Sequence, residues 1–110
     1  MSQNTNWQFI CELNQIPNTM GVAAKLGQAQ IALFRVQDQV FALNNYCPFG
    51  AANVLSRGLV GSLKDQIVVA SPLYKQHFVL NSGVCLEDNS VQIKNYPVKI
   101  EDNKIFVQTV

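Results

Sequence analysis

Apolar residues recur at every second position along most of this chain, and no window holds the 3.6-residue apolar period of a long helix. That periodicity restricts the fold to strands. The C-terminal stretch is the cleanest case. Val98 and Ile100 alternate with Lys99 and Glu101, Asp102-Asn103 supplies a turn, and Ile105 and Val107 alternate with Lys104 and Phe106. Asn tolerates positive φ, so a tight hairpin there has a mechanism. Gln30 to Val36 is apolar on both faces, as in a strand buried on both sides. Val40 to Leu43 resumes after the polar Gln37-Asp38-Gln39, which predicts a second hairpin. Trp7 to Cys11, Gly21 to Lys25 and Gln66 to Ala70 read as further strands, and Gln76 to Leu80 pairs with Val84 to Leu86 across Asn81-Ser82-Gly83. Ala51 to Leu55 is expected to form one short helical turn ending before Gly58. Short strands at hairpin spacing predict an all-β sandwich or partial barrel.

The 110 residues make one domain's worth of chain, expected to be a single unit over 1–110. A 48% hydrophobic fraction is that of a globular protein and excludes general disorder. Eight basic and seven acidic residues, with no like-charge run, give no electrostatic footprint for nucleic acid or anionic membrane. No apolar run approaches the ~20 residues of a membrane span. Met1 to Asn6 is polar and lacks the features of a secretion signal, so a cytoplasmic location is expected. Three cysteines, Cys11, Cys47 and Cys85, form no CxxC pair and suit reduced thiols.

Two segments stand out. The first runs Asn45-Tyr46-Cys47-Pro48-Phe49-Gly50-Ala51-Ala52-Asn53-Val54-Leu55, and the second Ala70-Ser71-Pro72-Leu73-Tyr74-Lys75-Gln76-His77-Phe78-Val79-Leu80-Asn81-Ser82-Gly83. Elsewhere no Gly-rich phosphate loop, Ser–His–Asp set or pair of carboxylates occupies usable positions. His77, the single histidine, reads as a strand residue with no acid–base partner indicated nearby. Cys11 and Cys85 read as small apolar packers and Cys47 as an inert loop thiol. Trp7, Phe9 and Phe41 are expected in the core.

At these two segments the chain resembles the Rieske ferredoxin-like family, which carries Cys-x-His in the first and Cys-x-x-His in the second. The four ligand positions are here Cys47, Phe49, Ser71 and Tyr74, while the framework is retained: Pro48 after the first Cys position, Gly50-Ala51 and Leu55, Pro72 after the second, then Phe78, Leu80 and Gly83. The likeness spans about residues 7–108 and implies an antiparallel Rieske-like fold with an inserted two-loop subdomain at about 45–83. Within the family, Val54-Leu55-Ser56-Arg57-Gly58-Leu59, Val69-Ala70-Ser71-Pro72-Leu73 and Gly83-Val84-Cys85-Leu86-Glu87-Asp88 are similar to the small subunits of cytoplasmic NADH-dependent nitrite reductases. That branch has Ser in the second box and no ligand histidines; Cys47, still at a ligand position, is the departure from it.

A Rieske centre needs two Cys on one iron and two His on the other. One histidine cannot supply it, so no metal, no cluster and no catalytic residue is expected on this chain. Phe49, Leu73 and Tyr74 are expected to fill the space a cluster would occupy, with Ser71 hydrogen-bonding backbone across it. The branch resemblance implies an accessory role in nitrate assimilation: a partner large subunit carries flavin, an iron–sulfur cluster and sirohaem, and reduces nitrite to ammonium with NADH. Arg57 and Lys75 are candidate contacts to that partner. The rival readings are a cluster-free interaction module for another partner and a Rieske-type electron-transfer ferredoxin.

Overall fold

The computed structural model describes residues 7–27, 29–49, 52–72 and 76–108. The strands follow in chain order: β1 Trp7–Glu12, β2 Gly21–Leu26, β3 Ala29–Val36, β4 Gln39–Asn44, β5 Tyr46–Cys47, β6 Ala52–Asn53, β7 Leu59–Leu63, β8 Gln66–Ala70, β9 His77–Val79, β10 Asn95–Tyr96, β11 Val98–Glu101 and β12 Lys104–Gln108. The described helical segments are two single 3-10 turns, Leu13–Gln15 and Leu55–Arg57. All described pairings are antiparallel, as the alternation predicts. They form sheets ordered β1-β12-β11, β10-β4-β3-β2, β5-β6 and β7-β8-β9.

Three hairpin turns show why the chain reverses where it does. Lys64-Asp65 and Asp102-Asn103 are two-residue turns with positive φ at both positions, the geometry whose twist matches the flanking strands. Gln37, at φ 56°, is held by its N–H donating to Asn18 Oδ1 (2.6 Å) and its carbonyl accepting from Arg35 Nε (2.7 Å).

β3 explains its own unbroken apolar run. Ile31 and Leu33 point into one core, with Leu26, Val40, Ile105 and Val107. Ala32 and Phe34 point into a second, with Leu55, Val69, Phe78 and Leu80. The first core lies between the β1-β12-β11 and β10-β4-β3-β2 sheets; the second joins β3 and β4 to the loop-bearing β7-β8-β9 sheet.

Several expectations shift. The helical turn lies at Leu55–Arg57 rather than starting near residue 51, because Ala52–Asn53 is drawn into pairing with Tyr46–Cys47. Phe9 is not a core residue: it is 49% exposed and packs edge-on against Phe106 at 5.7 Å on the outer face of its sheet. Trp7 and Phe41 are half-buried, Phe41 against the second core. β7 was not expected at all.

Candidate functional site

The two singled-out segments come together at one end of the β7-β8-β9 sheet. Asn45, 1% exposed, organises the first. Its backbone N–H donates to Gln30 O (2.9 Å) and its carbonyl accepts from Leu55 N–H (3.0 Å). Its side-chain oxygen accepts from Ser56 N–H (2.7 Å), and its amide Nδ2 donates to Asn53 O (3.2 Å). One buried amide therefore fixes the path of residues 53–56 and sets the 3-10 turn, a role that sequence spacing does not signal. Gly58 then lies against β8: an added Cβ would collide with the Ala70 carbonyl oxygen and approach Val69 Cγ2 to 2.7 Å. No larger residue fits there without displacing backbone. In the second segment, Ser71 N–H donates to Gln76 O (2.8 Å), closing the loop between β8 and β9.

Cys47 and Ser71, one from each segment, are both buried, and their Sγ and Oγ lie 3.2 Å apart in a hydrogen bond. The Ser71 hydroxyl thus meets a thiol from the other segment. Phe49 is half-buried with its ring tilted against Phe78, centroids 6.1 Å apart. Leu73, Tyr74 and Lys75 lie outside the described residues. The buried Oε1 of Gln76, beside this loop, has no hydrogen-bond partner among the described residues.

His77 stands apart from this pair. Its Nδ1 lies 2.6 Å from Glu87 Oε2, and its backbone N–H donates to Glu87 Oε1 at 2.8 Å. The expectation of no acid–base group near His77 is thereby corrected. Positions ten residues apart meet because Gly83, at φ +83°, turns the chain back so that residues 84–86 extend the sheet beyond β9, through Val79 N–H to Val84 O and Leu86 N–H to His77 O. Burial pushes the Glu87 carboxyl up, but the His77 backbone N–H and imidazole outweigh it and hold it below its ordinary value. Burial raises the Cys85 thiol, which donates a long bond to Glu87 Oε1 (3.7 Å). Burial also raises Cys11, which packs against the first core.

Arg57 is exposed, beside a shallow groove of about 200 Å³ lined by Arg57, Gly58, Leu59, Ala70, Ser71 and Pro72. Among the described residues, no three His, Cys, Asp or Glu side chains converge to hold a metal ion. A [2Fe–2S] Rieske centre takes two thiolates and two imidazoles. Cys47 and Ser71 bring together one thiol and one hydroxyl, Phe49 has no donor atom, and the sequence has a single histidine, so these residues do not fit such a centre.

The model of the Rieske-like [2Fe-2S] domain matches residues 6–108. The chain is 42% identical over 103 residues to the nitrite reductase (NADH) small subunit of Escherichia coli K12, covering 92% of this chain and 95% of that protein. It is 48% identical over 101 residues to a segment of the Klebsiella oxytoca nitrite reductase [NAD(P)H] large subunit, covering 92% of this chain but 11% of that much longer one. In structure it is similar to the Escherichia coli protein NirD, with a TM-score of 0.89, 40% identity, and coverage of 96% of this chain and 97% of the other. The chain belongs to the Rieske-like [2Fe-2S] domain family and, within it, to the group of nitrite reductase small subunits.

Proposed function

We propose that this chain is a non-catalytic accessory subunit of a cytoplasmic NADH-dependent assimilatory nitrite reductase, carrying no cluster of its own. It binds a large subunit that holds the flavin, iron–sulfur cluster and sirohaem and reduces nitrite to ammonium. The observation that carries this reading is the refitted loop pair. Of the four Rieske ligand positions, Cys47 is buried in a bond to Ser71, and Phe49 packs on Phe78. The fourth is Tyr74, which has no imidazole to offer. The lone imidazole of the chain is engaged elsewhere with Glu87. A loop pair without the ligands for redox chemistry is left with a use in binding. A matching segment inside a longer reductase chain in Klebsiella supports physical association of this domain with the catalytic body. The free thiols Cys11, Cys47 and Cys85 fit a reducing compartment.

The test is co-expression with the large subunit. Deleting this chain should lower nitrite-dependent NADH oxidation, and Arg57→Glu or Lys75→Glu should weaken co-purification. Unchanged activity without the chain would remove the accessory role; silent charge reversals would remove only the proposed contacts. For the cluster, the chain expressed alone with excess iron and sulfide should be colourless and iron-free. Visible absorbance with stoichiometric iron would overturn the cluster-free reading.

A further inference from the structure

The described sheets have several open edges, and most are protected; β5 and β6 are only two residues long. β1 has a register shift between Phe9 and Cys11 and ends on Glu12, β2 carries Lys25, β11 carries Lys99 and Glu101, and β10 has two residues followed by Pro97. The outer edge of β9 is taken by residues 84–86. Charges, prolines, bulges and short lengths are the usual devices that stop sheet edges from pairing with other chains. β7 has none of them. Its five residues, Leu59-Val60-Gly61-Ser62-Leu63, pair with β8 in unbroken register and contain no charge and no proline.

The turn fixes which backbone groups are open. Because Lys64-Asp65 is a two-residue turn, Leu63 and Gln66 exchange both hydrogen bonds, and so do the pairs at Gly61 and Leu59. The N–H and C=O groups of Val60 and Ser62 therefore face outward, and no described backbone group bonds to them from that side. Leu59, Gly61 and Leu63 share one face of the strand, with Leu59 79% and Leu63 36% exposed. A Cβ at Gly61 would meet nothing within 4 Å, so that face is open.

We propose that this edge pairs antiparallel with β7 of a second copy of this chain, about a two-fold axis through Gly61. The segment is its own antiparallel complement. In that register Val60 exchanges both backbone hydrogen bonds with Ser62 of the second copy, Gly61 lies opposite Gly61, and Leu59 lies opposite Leu63 of the second copy. Such non-hydrogen-bonded positions bring side chains closest, so two leucine pairs close over the glycines. The flanks are complementary in charge: Arg57, before the strand, comes toward Asp65 of the second copy, after it, and the reverse. A C2 interface requires this self-complementarity. Its small area makes the association weak and reversible.

Sedimentation equilibrium of the full chain, from about 10 µM to about 1 mM, spans the range of a weak interface of this size. The average mass should rise from one chain towards two. Leu59→Lys, at a solvent-facing position, should abolish the rise, as should Ser62→Pro, which removes an outward N–H. Phe9→Lys, on another sheet, should leave it intact. Arg57→Glu should weaken pairing and the Arg57→Glu, Asp65→Arg double variant should restore it. A reductase contact through Arg57 would stay lost in that double variant, which separates this pairing from the accessory role. A chain monomeric throughout the range, or a dimer indifferent to the β7 variants, would overturn the proposal.

Discussion

Asn45 holds four hydrogen bonds from a position 1% exposed. Asn45→Ala removes both side-chain bonds and leaves the Ser56 N–H and Asn53 C=O without that amide. The cost should be about 1–3 kcal/mol, from a stranded part-buried donor plus a lost bond. A lowered urea midpoint with unchanged slope would register it. The residue was visible in the sequence, but its importance was not, because its partners are defined only once residues 53–56 fold over it. Cys47, Phe49 and Ser71 were singled out by the resemblance to the Rieske ligand segments. That Cys47 and Ser71 bond to each other was not legible, since it depends on how closely two loops 24 residues apart approach.

Between elements, the clamp between His77 on β9 and Glu87 beyond the next strand-like segment is the main titratable link. Glu87 has a folded pKa below its ordinary value. Its carboxylate therefore contributes stability that is present above the ordinary value and is lost as pH falls through the lowered one. Because the carboxylate is 46% exposed, solvent moderates the effect. Glu87→Gln should flatten the decline in urea midpoint between about pH 5 and pH 3 relative to the parent chain. An identical decline in both would show that the clamp carries no linkage. The strands themselves were readable where an apolar run or alternation was long enough, as runs at β3, β4 and β8 and as alternation at β11 and β12. β7 escaped because Leu59-Val60-Gly61-Ser62-Leu63 has no strict alternation and a glycine at its centre. Gly58 is there to let the chain pass against Ala70, and Gly61 sits on an open face. The pairs β5-β6 and β10-β4 are two residues long and have no period to detect.

At the scale of the whole molecule, two cores share β3 and β4. Leu33→Ala opens the first and Phe78→Ala the second. Each should cost about 2–5 kcal/mol. Because β3 belongs to both, each variant should still unfold in one transition, with tryptophan fluorescence at Trp7 and far-ultraviolet circular dichroism coincident. Two separated transitions would mean that the loop-bearing half melts alone. The two loop segments take part in this organisation, since the second core draws on Leu55, Phe78 and the Phe49 ring.

β3 also bears on how the chain avoids errors while folding. Its alternate side chains serve two cores of different shape, Ile31 and Leu33 on one side, Ala32 and Phe34 on the other. A slip of one residue would send Phe34 into space built for a branched aliphatic chain and place Ile31 or Leu33 where Ala32 leaves room only for a methyl group. Most half-exposed strands are checked on one face. Here both faces reject the wrong alignment, so the central strand proofreads its own register, and mispaired intermediates have nowhere comfortable to wait.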